Sequence, residues 1–143
     1  MVSSLEPQPV VLFKEVFARL TPETQMPLTQ LYAAEVTFED PMHKIVGLEA
    51  LAKYFARLNA RIQYAEFVFE SKIVTDDQAA LTWKMVVRPK YSWKPVEVLG
   101  VSILRFTDKI VYQRDYFDVG AMMYEQLPIF GWVLRRLKSA VSV

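Results

Sequence analysis

Phe38-Glu39-Asp40-Pro41-Met42-His43-Lys44-Ile45-Val46-Gly47 is the stretch that decides how this chain is read. Val36-Thr37-Phe38 before it is β-branched and aromatic, the composition of a short strand, and Pro41 terminates that strand because it cannot donate to a ladder. Gly47 after it opens a helix, with Leu48, Leu51, Phe55 and Leu58 returning at helical spacing over about 48–60. A tight strand-to-helix connection thus carries a carboxylate, Asp40, and the only histidine of the protein, His43.

Upstream, Val10, Phe13, Phe17 and Leu20 predict an amphipathic helix over about 9–20. Thr21-Pro22 reads as a second helix start, with Thr21 as cap and Pro22 where a missing N–H costs nothing. Leu28, Leu31 and Tyr32 supply that helix with an apolar face. Downstream, the period changes to two. Ala65, Phe67, Phe69, Ser71 and Ile73 share one face of a strand, and Thr75 to Gln78 turns the chain. Leu81, Trp83, Met85 and Val87 line the next strand, and Arg88 to Pro95 forms a longer loop. Val96 to Phe106 is apolar on both faces, which predicts a central strand covered on both sides. Ile110 to Phe117 follows, and residues 118–143 read as a helical extension broken at Pro128.

The totals narrow the function classes. A chain of 143 residues with 52% apolar and 13% aromatic residues has the length and composition of one folded domain. Its net charge of +1 gives no overall field for nucleic acid or a membrane surface. There is no cysteine, and a lone histidine excludes a histidine-rich metal centre within one chain. No organic cofactor is signalled. Residues 1–8 read as a flexible polar start without a signal pattern, and no apolar run is long enough to span a bilayer. The expectation is a cytoplasmic protein without stable membrane insertion. Helices followed by a run of strands is the α+β pattern, here a cone-shaped curved antiparallel sheet wrapped around the N-terminal helices, as one domain over 1–143.

With these elements in order, the chain resembles the nuclear transport factor 2-like superfamily, most nearly its SnoaL-like branch, with delta-5-3-ketosteroid isomerase a more distant relative. The resemblance runs from about residue 9 to 117. It rests on Phe38-Glu39-Asp40-Pro41 followed by Gly47 and a helix, on Ile103-Leu104-Arg105-Phe106, and on Arg114-Asp115-Tyr116-Phe117-Asp118. It implies that Asp40 stands where the isomerases keep their general base and Ser102 where they keep an oxyanion donor. The tyrosine of their first helix falls near Val16 and Phe17, which donate no hydrogen bond. Losing one such donor costs about 10²–10³ in rate, so efficient steroid isomerisation is not expected.

The candidate catalytic set is therefore Asp40, with Ser102 steadying an oxyanion and His43 or Asp115 assisting. Burial at the mouth of an apolar cavity disfavours a carboxylate's charge and suits it to general-base work, whereas an aspartate before proline also makes an ordinary turn. His43 has the plainer reading of a rim residue. Asp115 shares parity with Val111 and Phe117; it is either a second cavity carboxylate or a structural partner of Arg105 or Arg114. Phe17, Phe38, Phe55, Trp83, Met85, Gly100 and Phe117 would line a ligand cavity, although such residues also make ordinary core. The expected function is binding of an apolar small molecule, with cofactor-independent proton transfer at Asp40. The alternatives are a non-catalytic binding or interaction module, or an epoxide hydrolase-like enzyme. Leu99, Val101 and Ile103 on the outer sheet face predict a homodimer. The basic stretch Trp132 to Lys138, with Phe130 before it, predicts a lid or interface in preference to an amphipathic helix on an anionic membrane.

Overall fold

The computed structural model describes residues 5–120, so the expectations for residues 1–4 and for most of the C-terminal extension lie outside the described residues. Helix α1 (Gln8–Phe17) is followed by β1 (Arg19–Leu20), a one-turn helix α2 (Leu28–Leu31), β2 (Tyr32–Glu39), β3 (Lys44–Val46) and helix α3 (Leu48–Ala60). Four longer strands complete it: β4 (Ile62–Val74), β5 (Gln78–Pro89), β6 (Val96–Phe106) and β7 (Ile110–Phe117). The seven strands form one curved, unclosed sheet in the order β1-β4-β5-β6-β7-β2-β3. All neighbours are antiparallel except β2 and β7, which run parallel with Phe38 opposite Gln113. The α+β cone expected above is the observed architecture.

Local chemistry explains where the elements differ from the sequence reading. Helix α1 stops at Phe17, and Leu20 instead pairs with Ala65 in the sheet while staying buried. No helix starts at Thr21. Its amide donates to Thr24 Oγ1 (2.9 Å) in a turn, because a helix begun at Pro22 would carry Pro27 in its interior, where proline removes a hydrogen bond and clashes. Tyr32, expected on a helix face, begins β2 and buries its ring completely. In β4 the register shifts between Phe69 and Ser71, so parity inverts: Ile73 points outward, 75% exposed, and Val74 packs on the core. Strand β6 is central, but Leu99 on its outer face is 58% exposed in this single chain.

The core lies inside the curve of the sheet. Val10, Phe13 and Phe17 of α1 and Leu51, Tyr54 and Phe55 of α3 meet Ala65, Leu81, Trp83, Val98 and Leu104 of the strands. The rings interlock edge to face: Phe17 on Phe55 (5.6 Å), Phe38 on Phe55 (5.7 Å) and Phe67 on Trp83 (5.0 Å). Gly100 stands opposite Trp83 across the β5–β6 ladder. A Cβ there would lie 2.3 Å from the tip of the indole ring, so the absent side chain is what lets Trp83 lie flat on the sheet. Gly100→Ala is therefore expected to displace Trp83 and destabilise the fold by about 1–3 kcal/mol, read as a lower denaturant midpoint with a red-shifted tryptophan emission.

Candidate functional site

The β2–β3 connection is built by Asp40. Its Oδ1 accepts from the amides of Met42 and His43, both at 2.8 Å, while its own amide donates to the His43 carbonyl (3.0 Å). This turn returns the chain as β3, and the Gly47 amide donates to the Val36 carbonyl (2.8 Å) at a positive φ of 94° that glycine adopts without strain. Helix α3 leaves from there and brings Tyr54 back over the turn. The Tyr54 hydroxyl donates to Asp40 Oδ2 at 2.5 Å. His43 Nδ1 lies 3.1 Å from Asp40 Oδ1 and 3.4 Å from the Tyr54 oxygen. Asp40 is 5% exposed, and the His43 side chain, at 36%, sits on the rim. Burial, and after it the charge and hydrogen bond of Asp40, raise the Tyr54 pKa far above the usual phenol range. Tyr54 stays protonated and serves as a donor.

Strand β7 supplies the second carboxylate. Asp115 Oδ1 accepts from Ser102 Oγ (2.7 Å) and from Gln113 Nε2 (3.0 Å), and Oδ2 has a longer contact with the same amide (3.2 Å). Behind it stands a buried chain of donors. Trp83 Nε1 donates to Ser102 Oγ (3.0 Å), and the Tyr32 hydroxyl donates to Gln113 Oε1 (2.5 Å). Ser102 and Gln113 are 2% and 1% exposed. Burial, with the Asp40 charge as a smaller contribution, raises the Asp115 carboxyl against the lowering pull of the hydrogen bonds from Ser102 and Gln113, to a net value of about 6. Neither arginine considered for it is its partner: Arg114 faces Glu39 (3.7 Å), and Arg105 lies over the Tyr112 ring.

Both carboxylates line one cavity of about 140 Å³ between α1, α3 and the sheet. Phe17, Phe38, Phe55, Trp83, Met85 and Phe117 reach it, as the pattern of apolar residues suggested. Three other expected residues do not line it. Gly100 is covered by Trp83, Ser102 lies behind Asp115 with its proton committed there, and His43 stays at the rim beyond Asp40. Two polar lining residues were not anticipated, Tyr54 and Asn59. Tyr54 shares the helical face of Leu51 and Leu58, so its period was legible. Asn59 is polar on an apolar face, and among the described residues its side-chain amide makes only a 3.5 Å contact with Met26 Sδ. It is a buried donor with capacity to spare. Among the described residues, no group of three or more His, Asp or Glu side chains is placed to hold a metal ion.

The SnoaL-like domain family profile matches residues 13–113. No curated protein matches the sequence. Solved structures share the fold at low identity. A protein with a ketosteroid isomerase-like fold from Catenulispora acidiphila, in complex with trimethylamine, is 19% identical over 85% of this chain and 93% of its own, with a TM-score of 0.72. A protein from Jannaschia provisionally named a SnoaL-like polyketide cyclase is 17% identical over 87% and 95%, with a TM-score of 0.69. A provisional isomerase from Rhodopseudomonas palustris is 14% identical over 80% and 92%, with a TM-score of 0.68.

The raised Asp115 pKa has a consequence for stability. The folded protein holds this proton more tightly than the unfolded chain, so ionisation of Asp115 costs stability as pH rises from about 4, the ordinary carboxylate value, through about 6. Asp115→Asn keeps an oxygen to accept from Ser102 and Gln113 and removes the charge. Its melting temperature is expected to exceed that of the wild type by a few degrees at pH 7.5, and the difference should shrink toward zero near pH 4.

Proposed function

The chain belongs to the SnoaL-like domain family, and from that premise we propose that its cavity binds a small, largely apolar carbonyl compound and transfers a proton at the carbon beside the carbonyl. Asp115 exchanges the proton. The observation that carries this reading is the contrast between the two carboxylates. Asp40 has donors on both oxygens, two backbone amides and the His43 ring on Oδ1 and Tyr54 on Oδ2, which leave little room for a substrate proton. Asp115 has its short hydrogen bonds on Oδ1 only, and its pKa of about 6 leaves it ionised at neutral pH yet basic enough to matter. Asp40 then acts as the buried charge that raises Asp115 and anchors Tyr54.

Carbonyl activation needs a donor facing the cavity. Ser102 and Tyr54 spend their protons on the two aspartates. Asn59 is the cavity residue with a spare amide donor, and we assign it to the ligand oxygen. The cavity volume bounds the substrate: about 150 Å³ suffices for benzene, so a one-ring compound fits better than a fused four-ring one. The chemistry proposed needs no cofactor. The outer sheet face, with Leu99, Val68 and Tyr116 each more than half exposed, suits a second copy of the chain.

Proton exchange measures this directly. Cyclic ketones and 1,3-dicarbonyl compounds in deuterated buffer should exchange their α-protons faster with the protein, read by proton NMR. The rate should rise through pH 6 as Asp115 ionises and level off above it. Asp115→Asn should lower it by about 10²–10⁴, and Asn59→Leu should lower it less. Exchange that survives Asp115→Asn would remove the assignment.

A second reading has its own support. Among the described residues, the cavity lining holds two carboxylates and several aromatic rings, but no lysine or arginine. That composition suits an alkylammonium ion, by charge and by cation–π attraction, and the Catenulispora protein of the same fold is in complex with trimethylamine. Calorimetric titration with trimethylammonium at pH 8 tests it. Binding should weaken below pH 6 and in Asp115→Asn; pH-independent or undetectable binding would leave only the carbonyl reading.

A further inference from the structure

The loop between β5 and β6, Arg88-Pro89-Lys90-Tyr91-Ser92-Trp93-Lys94-Pro95, takes no part in the cavity chemistry. It presents two of the most exposed aromatic side chains of the described chain, Tyr91 at 93% and Trp93 at 79%. Such rings rarely stand alone in water, and here they are interleaved with Arg88, Lys90 and Lys94 without an acidic residue between 88 and 96. The loop is not loose. The Lys90 amide donates to the Arg61 carbonyl (2.9 Å), the Lys90 ammonium to the Ala60 carbonyl (3.3 Å), and Gln63 Nε2 to the Lys90 carbonyl (3.5 Å). These bonds hold it against the C-terminal end of α3, where Arg57 and Arg61 add two exposed cations.

Arg57, Arg61, Arg88, Lys90 and Lys94 form no ion pair among the described residues, nor do Lys44, Arg105 and Lys109 on other elements, whereas Lys14, Arg19, Lys53, Lys72, Lys84 and Arg114 each face a carboxylate. A chain with a net charge of +1 thus gathers unbalanced positive charge at one end, around two exposed amphipathic rings. The same end of α3 sends Leu58 and Asn59 into the cavity, and Ile62 and Val87 line it from the strands beside the loop.

We propose that this loop, with the end of α3, docks the protein on an anionic phospholipid surface. Trp93 and Tyr91 sit at the headgroup level, where an indole or phenol satisfies its apolar body and its polar tip together. Lys94 and Arg61 meet the lipid phosphates, each basic residue contributing by electrostatic attraction. The attachment is peripheral: no helix of the described residues is long and apolar enough to cross a bilayer. It would set the apolar cavity beside the phase in which poorly soluble ligands concentrate. The proposal does not depend on proton transfer at Asp115, and it survives if that chemistry fails.

Vesicle co-sedimentation of the full chain tests it. Vesicles of phosphatidylcholine alone should bind little, and vesicles containing about a quarter phosphatidylglycerol should bind the protein at low salt and release it as salt screens the charges. Arg61→Gln with Lys94→Gln should weaken binding at low salt by at least about tenfold, and Tyr91→Ala with Trp93→Ala should weaken it at the same low salt. All four side chains are exposed, so unchanged melting temperatures confirm that the fold is intact. Failure of the wild type to bind anionic vesicles at low salt overturns the proposal. So does binding that the loop variants retain in full, which would place any lipid contact on the basic residues Arg135, Arg136 and Lys138 instead.

Discussion

Asp40 uses its two oxygens in two directions, and the cavity depends on both. Oδ1 accepts from the backbone of its own turn, which sends β3 back along β2. Oδ2 accepts from Tyr54, which pins α3 across the turn and over the sheet. A carboxylate so placed is costly unless donors surround it, and removing one of them leaves a buried charge uncompensated. The turn, the entry into α3 and one wall of the cavity are therefore a single unit. The ordinary reading of aspartate before proline, a side chain bonded to its own backbone, is realised at Oδ1. The same residue still lines the cavity.

The other wall is held by a polar chain inside the sheet. Trp83, Ser102, Gln113 and Tyr32 belong to four strands, and every hydrogen bond among them leads to Asp115. Among the described residues, neutral donors hold this carboxylate without an arginine to neutralise it. They orient it, and they leave its charge expensive enough for the pKa to move toward neutrality. Two anions in one apolar cavity of about 140 Å³ are unfavourable for the empty protein. A molecule that takes up a proton or brings a positive charge relieves that cost, and both readings of the site start from this imbalance.

Glycine at position 100 shows how packing governs the site from behind. The indole of Trp83 occupies the space above it, which lets Nε1 reach Ser102 while the ring lines the cavity. Room in a strand was readable as a close approach. What approaches is the protein's own ring rather than a ligand.

The chain order and the local patterns carried a large part of this structure. The helix over 48–60, the alternation in β5, the turn at Thr75 to Gln78 and the central place of β6 follow from periodicity and turn chemistry, which act between near neighbours. Asp40, Asp115 and most of the aromatic wall were legible because strand parity and a proline-stopped turn place side chains on one face. Tertiary structure decided the rest. Whether Ser102 meets a ligand or another side chain depends on a partner thirteen residues away on β7. Tyr54 becomes a donor to Asp40 only when α3 folds back over the turn. Pro27 cut short the second helix, and one bulge in β4 inverted the faces of Ile73 and Val74. Side-chain hydrogen bonds and cavity volume are properties of residues brought together from distant strands, so they were settled only when the sheet curved around the helices.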